Sequence, residues 1–287
     1  MSNSRPSSVK VVALAHEELA EASRGFRWSR VLQIVTFTSS VVSIFATSRF
    51  AYYPAVLALG SQGLSWALRI QASNHQSIGE EGRMRGLLLD ALGQTTEYID
   101  LADWENSVGA NAQRRAEQSV DPNYFASNSH EGVVRLRDHL QENAFWGKHL
   151  YADAASQYSR ILTAFVIVAI TSGLVAIPLA PHDQSLVAAR VLVTALSFGA
   201  ALTQINEILS WRSAQAKIEI VDRRLEVLAA YSEGRLKTKG IEALFAVFGD
   251  YCVATAISPP IPGKIYSSQR HRLNALWDQR RKGVLQP

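Results

Sequence analysis

Four apolar stretches in two pairs dominate the hydropathy pattern of the chain. They cover residues 31–48, 51–68, 161–180 and roughly 185–211. Each approaches the roughly 20 residues with which an α-helix crosses the hydrocarbon core of a bilayer. The first two stretches are rich in hydroxyl side chains and therefore give the weaker hydropathy signal. We interpret all four as membrane spans.

The connections within each pair are too short for anything but a turn. Only "RF" joins the first two stretches and "PHDQ" the last two, so each pair is expected to form an antiparallel hairpin. The pattern predicts an all-α polytopic membrane protein with four transmembrane helices in two hairpins and a helical cytoplasmic domain. The predicted segments are an N-terminal amphipathic helix, a hairpin, a helical middle region, a second hairpin, and a C-terminal region with a proline-rich arm and a basic-aromatic tail: 1–30, 31–69, 70–157, 158–211 and 212–287.

Positive residues flank the hairpins on one side. Arginines precede and follow each pair, whereas only Arg49 and Arg190 fall on the opposite side. Cytoplasmic loops carry the excess of Lys and Arg in membrane proteins. We therefore predict a multi-pass membrane protein with both termini and the middle region in the cytoplasm.

The two pairs have similar flanking sequences. "WSRVL" (28–32) precedes the first pair and "YSRIL" (158–162) the second, and "LSW" recurs near both ends. Either the hairpins are parallel repeats, or unrelated segments meet the same interface. Aromatic rings favour the headgroup level with a basic residue on the water side. We predict interface anchors at Trp28, Arg30, Trp66, Arg69, Arg160, Trp211 and Arg212. An anchor at Trp211 places Glu207 one turn inside the interface, within reach of water.

Polar side chains recur at helical spacing within three of the spans. Steps of three and four residues place them on one face of a helix with about 3.6 residues per turn. The stripe residues predicted to line a pore are Gln33, Thr36, Ser40, Ser43, Thr47, Gln62, Ser65, Thr194, Ser197 and Gln204. In one interpretation these residues only hold packed helices together, with about 0.6 kcal/mol per hydrogen bond. In the other they face water and line a conduit, which would require a homo-oligomer because four helices cannot enclose a wide pore.

Composition adds a basic charge and a single cysteine. The chain of 287 residues is 47 % hydrophobic and 19 % charged, with a formal net charge of +4. Such a charge suits anionic lipid, and no Lys/Arg block dense enough for a nucleic acid polymer is present. Cys252 alone excludes an internal disulfide and any multi-cysteine metal site.

The C-terminal tail combines prolines with basic and aromatic residues. "SPPIP" (258–262) is expected to stop the preceding helix. The helix that follows is suited to lie on anionic lipid, to clamp the middle region, or to hold an anionic ligand or lipid headgroup through Lys264, Arg270 and Arg272.

Signatures of catalysis are missing from the sequence. It contains no phosphate loop, no dinucleotide fingerprint, no HExxH and no GxSxG. We predict neither an enzyme nor a bound cofactor or metal.

Two sequence stretches, "QENAFW" (141–146) and "SPPIPGKIY" (258–266), carry a resemblance to a known family. With the order of segments around them, the chain resembles the SMODS-associated four-transmembrane pore-forming effectors of bacterial anti-phage systems. The resemblance implies an effector that oligomerises on a cyclic oligonucleotide signal, or through a sensor protein, and opens or disrupts the inner membrane of an infected cell. The alternative is a non-conducting membrane scaffold or receptor whose cytoplasmic helices bind a partner protein.

Overall fold

A computed structural model describes the backbone of residues 7–46, 50, 52–93, 101–120, 124–125, 127, 129–179 and 187–284. Over these residues the chain is helical and has no strand, which confirms the predicted all-α class. The helices are α1 Ser8–Phe45, α2 Tyr52–Leu92, α3 Leu101–Ser107, α4 Ala110–Ala116, α5 Val133–Leu179, α6 Val187–Ala229, α7 Glu233–Arg235 (followed by a π-helical segment, Leu236–Gly240), α8 Ile241–Ala256 and α9 Gly263–Val284.

The chain divides into two compact units. Unit 1 comprises Met1–Ser23, Ser73–Asp153 and Trp211–Pro287, and unit 2 comprises Arg24–Ala72 and Ala154–Ser210. Helices α1, α2, α5 and α6 each contribute one segment to each unit. The two stretches predicted as hairpins fall in unit 2, apart from Trp211.

One helical stretch among the described residues, rather than the predicted four, is long and apolar enough to cross a membrane. It is Val133–Ser172, and only 11 % of its most apolar part is buried. Ser, Thr, Gln and Gly lower the hydropathy of the first two predicted spans. Part of the fourth, including Arg190, lies outside the described side chains.

The helix ends of unit 1 follow from local chemistry. The Ser7 hydroxyl accepts a hydrogen bond from the Lys10 N–H at 3.3 Å and so caps the start of α1. Helix α2 ends at Leu92. The next residue, Gly93, has a φ of 72°, the left-handed conformation that glycine adopts at helix C-termini. Helix α8 ends at Ala256, before Pro259 and Pro260, which lack the N–H that a helix requires.

Three glycines of α2 allow close helix packing in unit 1. A Cβ added to Gly82 would lie 2.0 Å from the Trp104 ring, and one at Gly86 would lie 2.4 Å from the Val12 side chain. A Cβ added to Gly79 would lie 2.8 Å from the Leu19 side chain. The close approach of α2 to Trp104 and to α1 therefore depends on the absence of side chains at these positions.

Buried carboxylates hold the helices of unit 1 together. The fully buried Glu18 accepts from the Gly109 N–H at 2.7 Å and contacts His75 Nδ1 at 2.6 Å. Asp90 accepts from Arg135 and contacts the buried ring of His139, both through Oδ2. Burial lowers the pKa of His139, and the hydrogen bond between its ring and the Asp90 carboxylate opposes this shift.

The C-terminal helix α9 packs inside unit 1 through rings and one shared carboxylate. Asp222 of α6 receives Lys148 Nζ at 2.5 Å and Arg280 Nη2 at 2.9 Å. Tyr266 stacks on Trp146, with ring centroids 5.6 Å apart. Of the three roles that the sequence suggests for the tail, these contacts correspond to the one in which it clamps the middle region.

Burial raises the pKa of Cys252 in α8 to about 11, so its thiol is protonated at neutral pH.

Candidate functional site

The interior of unit 2 is polar where α1 and α2 meet. Ser65 of α2 donates to the Ser29 carbonyl of α1 at 3.1 Å, and the two hydroxyls lie 2.9 Å apart. Two turns further along α1, Thr36 and Ser61 are hydrogen-bonded at 2.7 Å. The two helices therefore run antiparallel, and the polar residues of each face the other.

Helices α5 and α6 complete the arrangement within unit 2. Phe165 packs edge-on against Phe37, with ring centroids 5.1 Å apart, and Gln204 of α6 donates to the side-chain oxygen of Gln33. At a second level Arg30 contacts Tyr158 of α5 at 3.2 Å and donates to Glu207 of α6 at 2.9 Å. These pairs of contacts make α5 parallel and α6 antiparallel to α1.

Some buried polar atoms of this interior have no hydrogen-bond partner among the described residues. Gln62 is 1 % exposed, and neither atom of its side-chain amide is bonded. The same is true of Ser40 Oγ and of Gln33 Nε2. By the register of the α1–α2 contacts, Gln33 and Gln62 lie at the same level of the bundle. A buried, unsatisfied polar group costs about 1–3 kcal/mol, so these groups destabilise the conformation in which they are found.

A three-residue ionic cluster lies beside these polar positions. Glu207 of α6, only 1 % exposed, accepts from Arg30 of α1 through Oε1 and from Arg69 of α2 at 3.0 Å through Oε2. Aromatic rings cover both guanidinium groups: Arg30 lies 4.8 Å from the Tyr158 ring centre and Arg69 lies 5.3 Å from that of Phe26. The cluster carries a formal net charge of +1 and joins three helices.

The outer surface of unit 2 is apolar on all four helices. Large exposed hydrophobic residues include Val31, Ile34, Val42, Leu57, Leu59, Leu64, Ile167, Ile170, Phe198, Leu202, Ile205 and Leu209. Unit 2 thus has the reverse of the usual distribution in a water-soluble domain, where large apolar side chains are buried and exposed apolar patches are small.

Most predicted pore-lining residues lie in this interior. The buried ones are Gln33, Thr36, Ser40, Ser43, Gln62 and Ser65. Gln204 and Ser197 are half-buried, and Thr194 is exposed. Thr47 lies outside the described residues. The pore-lining role of the set stays a prediction.

The predicted interface anchors separate into two groups. Trp28 and Trp66 are each more than half exposed, and Arg160 and Arg212 are exposed, as an anchor requires. Arg30 and Arg69 instead turn inward, because Glu207 offers each of them a charge-assisted hydrogen bond. Glu207 is consequently buried and not within reach of water.

Trp211 does not correspond to Trp66, although both follow the same "LS" pair. Trp211 is 0 % exposed, belongs to unit 1 and donates its ring N–H to the Pro259 carbonyl at 2.9 Å. Its predicted anchor role is therefore wrong. The two matching sequence positions have different surroundings, so the "LSW" match does not indicate equivalent positions.

The three cations predicted to contact an anionic ligand do not form a cluster. Lys264 and Arg270 are exposed, while Arg272 pairs with Asp153 at 3.1 Å. Among the described residues, no group of three or more His, Cys, Asp or Glu side chains is arranged to hold a metal ion.

Sequence reasoning did not identify Glu207 as the centre of the site. Its spacing could have identified it. Glu207 lies three residues after Gln204 and so falls on the same face of α6 as the polar stripe.

Comparison with known proteins gives no match. No protein-family model matches the chain, and neither a curated protein nor a solved structure does.

Proposed function

We propose that the chain is a membrane effector of a bacterial anti-phage defence system, in which the four long segments of unit 2 cross the inner membrane. The observation that carries this proposal is the inverted polarity of unit 2, with apolar side chains outside and hydrogen-bonded polar side chains inside. Lipid tails are the environment in which such a surface is stable, and small and polar residues then join the helices. A hydropathy window underrates such spans because it averages the two faces.

The resting bundle is closed in this proposal. The Arg30–Glu207–Arg69 cluster fills the interior at one level, and Thr36 and Ser61 join α1 to α2 further along. Gln62, Ser40 and Gln33 carry polar atoms without partners in the described part of the chain. Water would satisfy these atoms, so they favour a hydrated, open state relative to the closed one.

Opening requires association of several chains, because four helices enclose no wide pore. A cyclic oligonucleotide or a sensor protein is the proposed trigger, and the collapse of ion gradients kills the infected cell. The trigger and the defence role are supported by the resemblance of "QENAFW" and "SPPIPGKIY" to the four-transmembrane effectors.

The test is ion flux in proteoliposomes, recorded with a potential-sensitive dye before and after addition of cyclic dinucleotides and trinucleotides. Gln62→Met keeps the side-chain volume and removes two unsatisfied polar atoms. We expect it to raise resting stability by about 1 kcal/mol and to reduce the triggered flux. Leu59→Met, on the exposed face of the same helix, is the matched control and should change neither. If the Gln62→Met variant conducts ions as well as wild type does, Gln62 does not line the conduit.

The second candidate is a non-conducting membrane scaffold or receptor. It is favoured by the hydrogen bonds that already join Ser29 to Ser65 and Thr36 to Ser61, since such contacts need no further role than packing. Liposomes that never depolarise, with any of the nucleotides, would select this candidate.

A further inference from the structure

We propose that a groove on unit 2 binds one anionic glycerophospholipid, with its phosphate at Arg27 and an acyl chain along α5 and α6. The inference rests on the proposed membrane location of unit 2. It does not depend on whether the protein conducts ions.

The groove is apolar along its length. It has a volume of about 470 Å³ and runs between α1, α5 and α6, with Ile34, Phe165, Ala169 and Phe198 among its walls. This volume lies within the roughly 300–1,000 Å³ range of small-molecule sites. Such walls suit a hydrocarbon chain, and the polar side chains of the lining are Arg27, Arg30, Gln33, Tyr158, Thr194, Ser197 and Gln204.

A cation without a counterion stands at one end of the groove. Arg27 lines it and is exposed, and it has no ion-pair partner among the described residues. The neighbouring Arg30, which also lines the groove, is engaged by Glu207 and Tyr158. Arg27 is therefore available for a phosphate, to which arginine binds through charge-assisted hydrogen bonds.

A buried donor without a partner also lines the groove. Gln33 is 3 % exposed, and its Nε2 atom has no acceptor among the residues that the structure describes. Six residues separate Arg27 from Gln33, about 9 Å along the helix at 1.5 Å per residue. A glycerophospholipid has ester carbonyls between its phosphate and its acyl chains. An ester oxygen would accept from Gln33 while the phosphate contacts Arg27.

The alternative occupant, a helix of a second copy, fits the charge at the groove less well. An apolar helix face brings no negative charge to Arg27, whereas an anionic lipid supplies one.

The experiment is native mass spectrometry of the full-length protein released from nanodiscs that contain equal amounts of phosphatidylglycerol and phosphatidylcholine. We expect wild type to retain phosphatidylglycerol selectively. Arg27→Gln should reduce that selectivity about tenfold, as the loss of one charge-assisted hydrogen bond implies. The matched control is Arg160→Gln, an exposed arginine of α5 that does not line the groove, and it should retain the wild-type selectivity.

A second variant tests the acyl-chain part of the groove without altering charge. Ala169→Phe should fill the groove and reduce retention of both lipids, whereas Ala164→Phe, on the same helix but outside the groove, should not. Equal retention of the two lipids by wild type, or equal losses in Arg27→Gln and Arg160→Gln, would overturn the proposal. So would an Ala169→Phe variant that keeps its lipid but associates less with a second copy of the chain than wild type does in the same spectra.

The two proposals fail in different measurements. Selective retention of phosphatidylglycerol without ion flux would support the lipid site and contradict the pore. Ion flux without selective retention would do the opposite.

Discussion

Glu207 is the residue on which the electrostatics of unit 2 depend. Its carboxylate binds two arginines from two other helices and is shielded from solvent. Taking charges out of water is costly, so a buried pair is stable only while every partner is present. Removal of the one acid would leave Arg30 and Arg69 as like charges beside each other.

Glu207→Gln should therefore destabilise the protein strongly. We expect a loss of about 3–5 kcal/mol, the usual cost of breaking a buried pair from one side, measured as a lower unfolding temperature in detergent. Glu219→Gln is the control, because its pair with Arg223 is exposed and i,i+4 pairs contribute about 0.3–0.5 kcal/mol. Similar changes of unfolding temperature in the two variants would show that the cluster contributes no more to stability than a surface ion pair does.

His139 gives the stability of unit 1 a pH dependence of known sign. Burial lowers its folded pKa below the ordinary 6.5, although Asp90 opposes this and Arg135 adds to it. As the pH falls through 6.5, His139 is therefore protonated in the unfolded chain before it is protonated in the folded one. The contribution of neutral His139 to the free energy of unfolding is fully present above pH 6.5 and is lost as the pH falls below it. Between pH 8 and 5.5 the unfolding temperature should fall less in His139→Gln than in wild type. The exposed His271→Gln should follow wild type, and an equal fall in all three would contradict the assignment.

Residue spacing predicted which polar positions share a face, but it did not predict their partners. The α1 and α2 stripes recur every three or four residues, which suffices to place Gln33, Thr36 and Ser65 on inward faces. The pairing of Glu207 with Arg30 and Arg69 depends on the register of three helices. No local pattern encodes that register, so the arginines were predicted as anchors.

At the scale of elements, α2 packs through different residue types in its two parts. Its segment in unit 1 presents glycines to Trp104 and to α1, and its segment in unit 2 presents Ser61 and Ser65 to α1. Gly60 and Gly63, by contrast, have no atom within 4 Å of an added Cβ. Sequence alone does not distinguish these glycines, because each lies within a helical pattern.

Gly82→Ala should destabilise unit 1, because the new methyl group overlaps the Trp104 ring. Overpacking of this kind costs about 1–3 kcal/mol. Gly60→Ala is the matched control on the same helix and should be neutral or slightly stabilising, since alanine favours a helix by about 1 kcal/mol over glycine. Chemical denaturation followed by tryptophan fluorescence measures both. A neutral Gly82→Ala would mean that α3 moves freely away from α2.

On the scale of the whole molecule, the all-α class could be read from periodicity, whereas the number of spans could not. Hydropathy averages the polar inward face of a span with its apolar outward face, and one stretch of the described chain passes that test. The central claim is instead that unit 2 turns its apolar faces towards lipid.

Site-directed spin labelling tests this claim most directly. In a Cys252→Ser background, labels at Leu57 and Leu202, on the apolar outside of unit 2, are compared in liposomes with a label at Glu219 of unit 1, whose side chain is 43 % exposed. The account predicts that oxygen relaxes the first two labels more strongly than a water-soluble nickel chelate does, with the reverse at Glu219. Greater relaxation by the chelate at Leu57 and Leu202 would show that this surface faces water and would contradict the account.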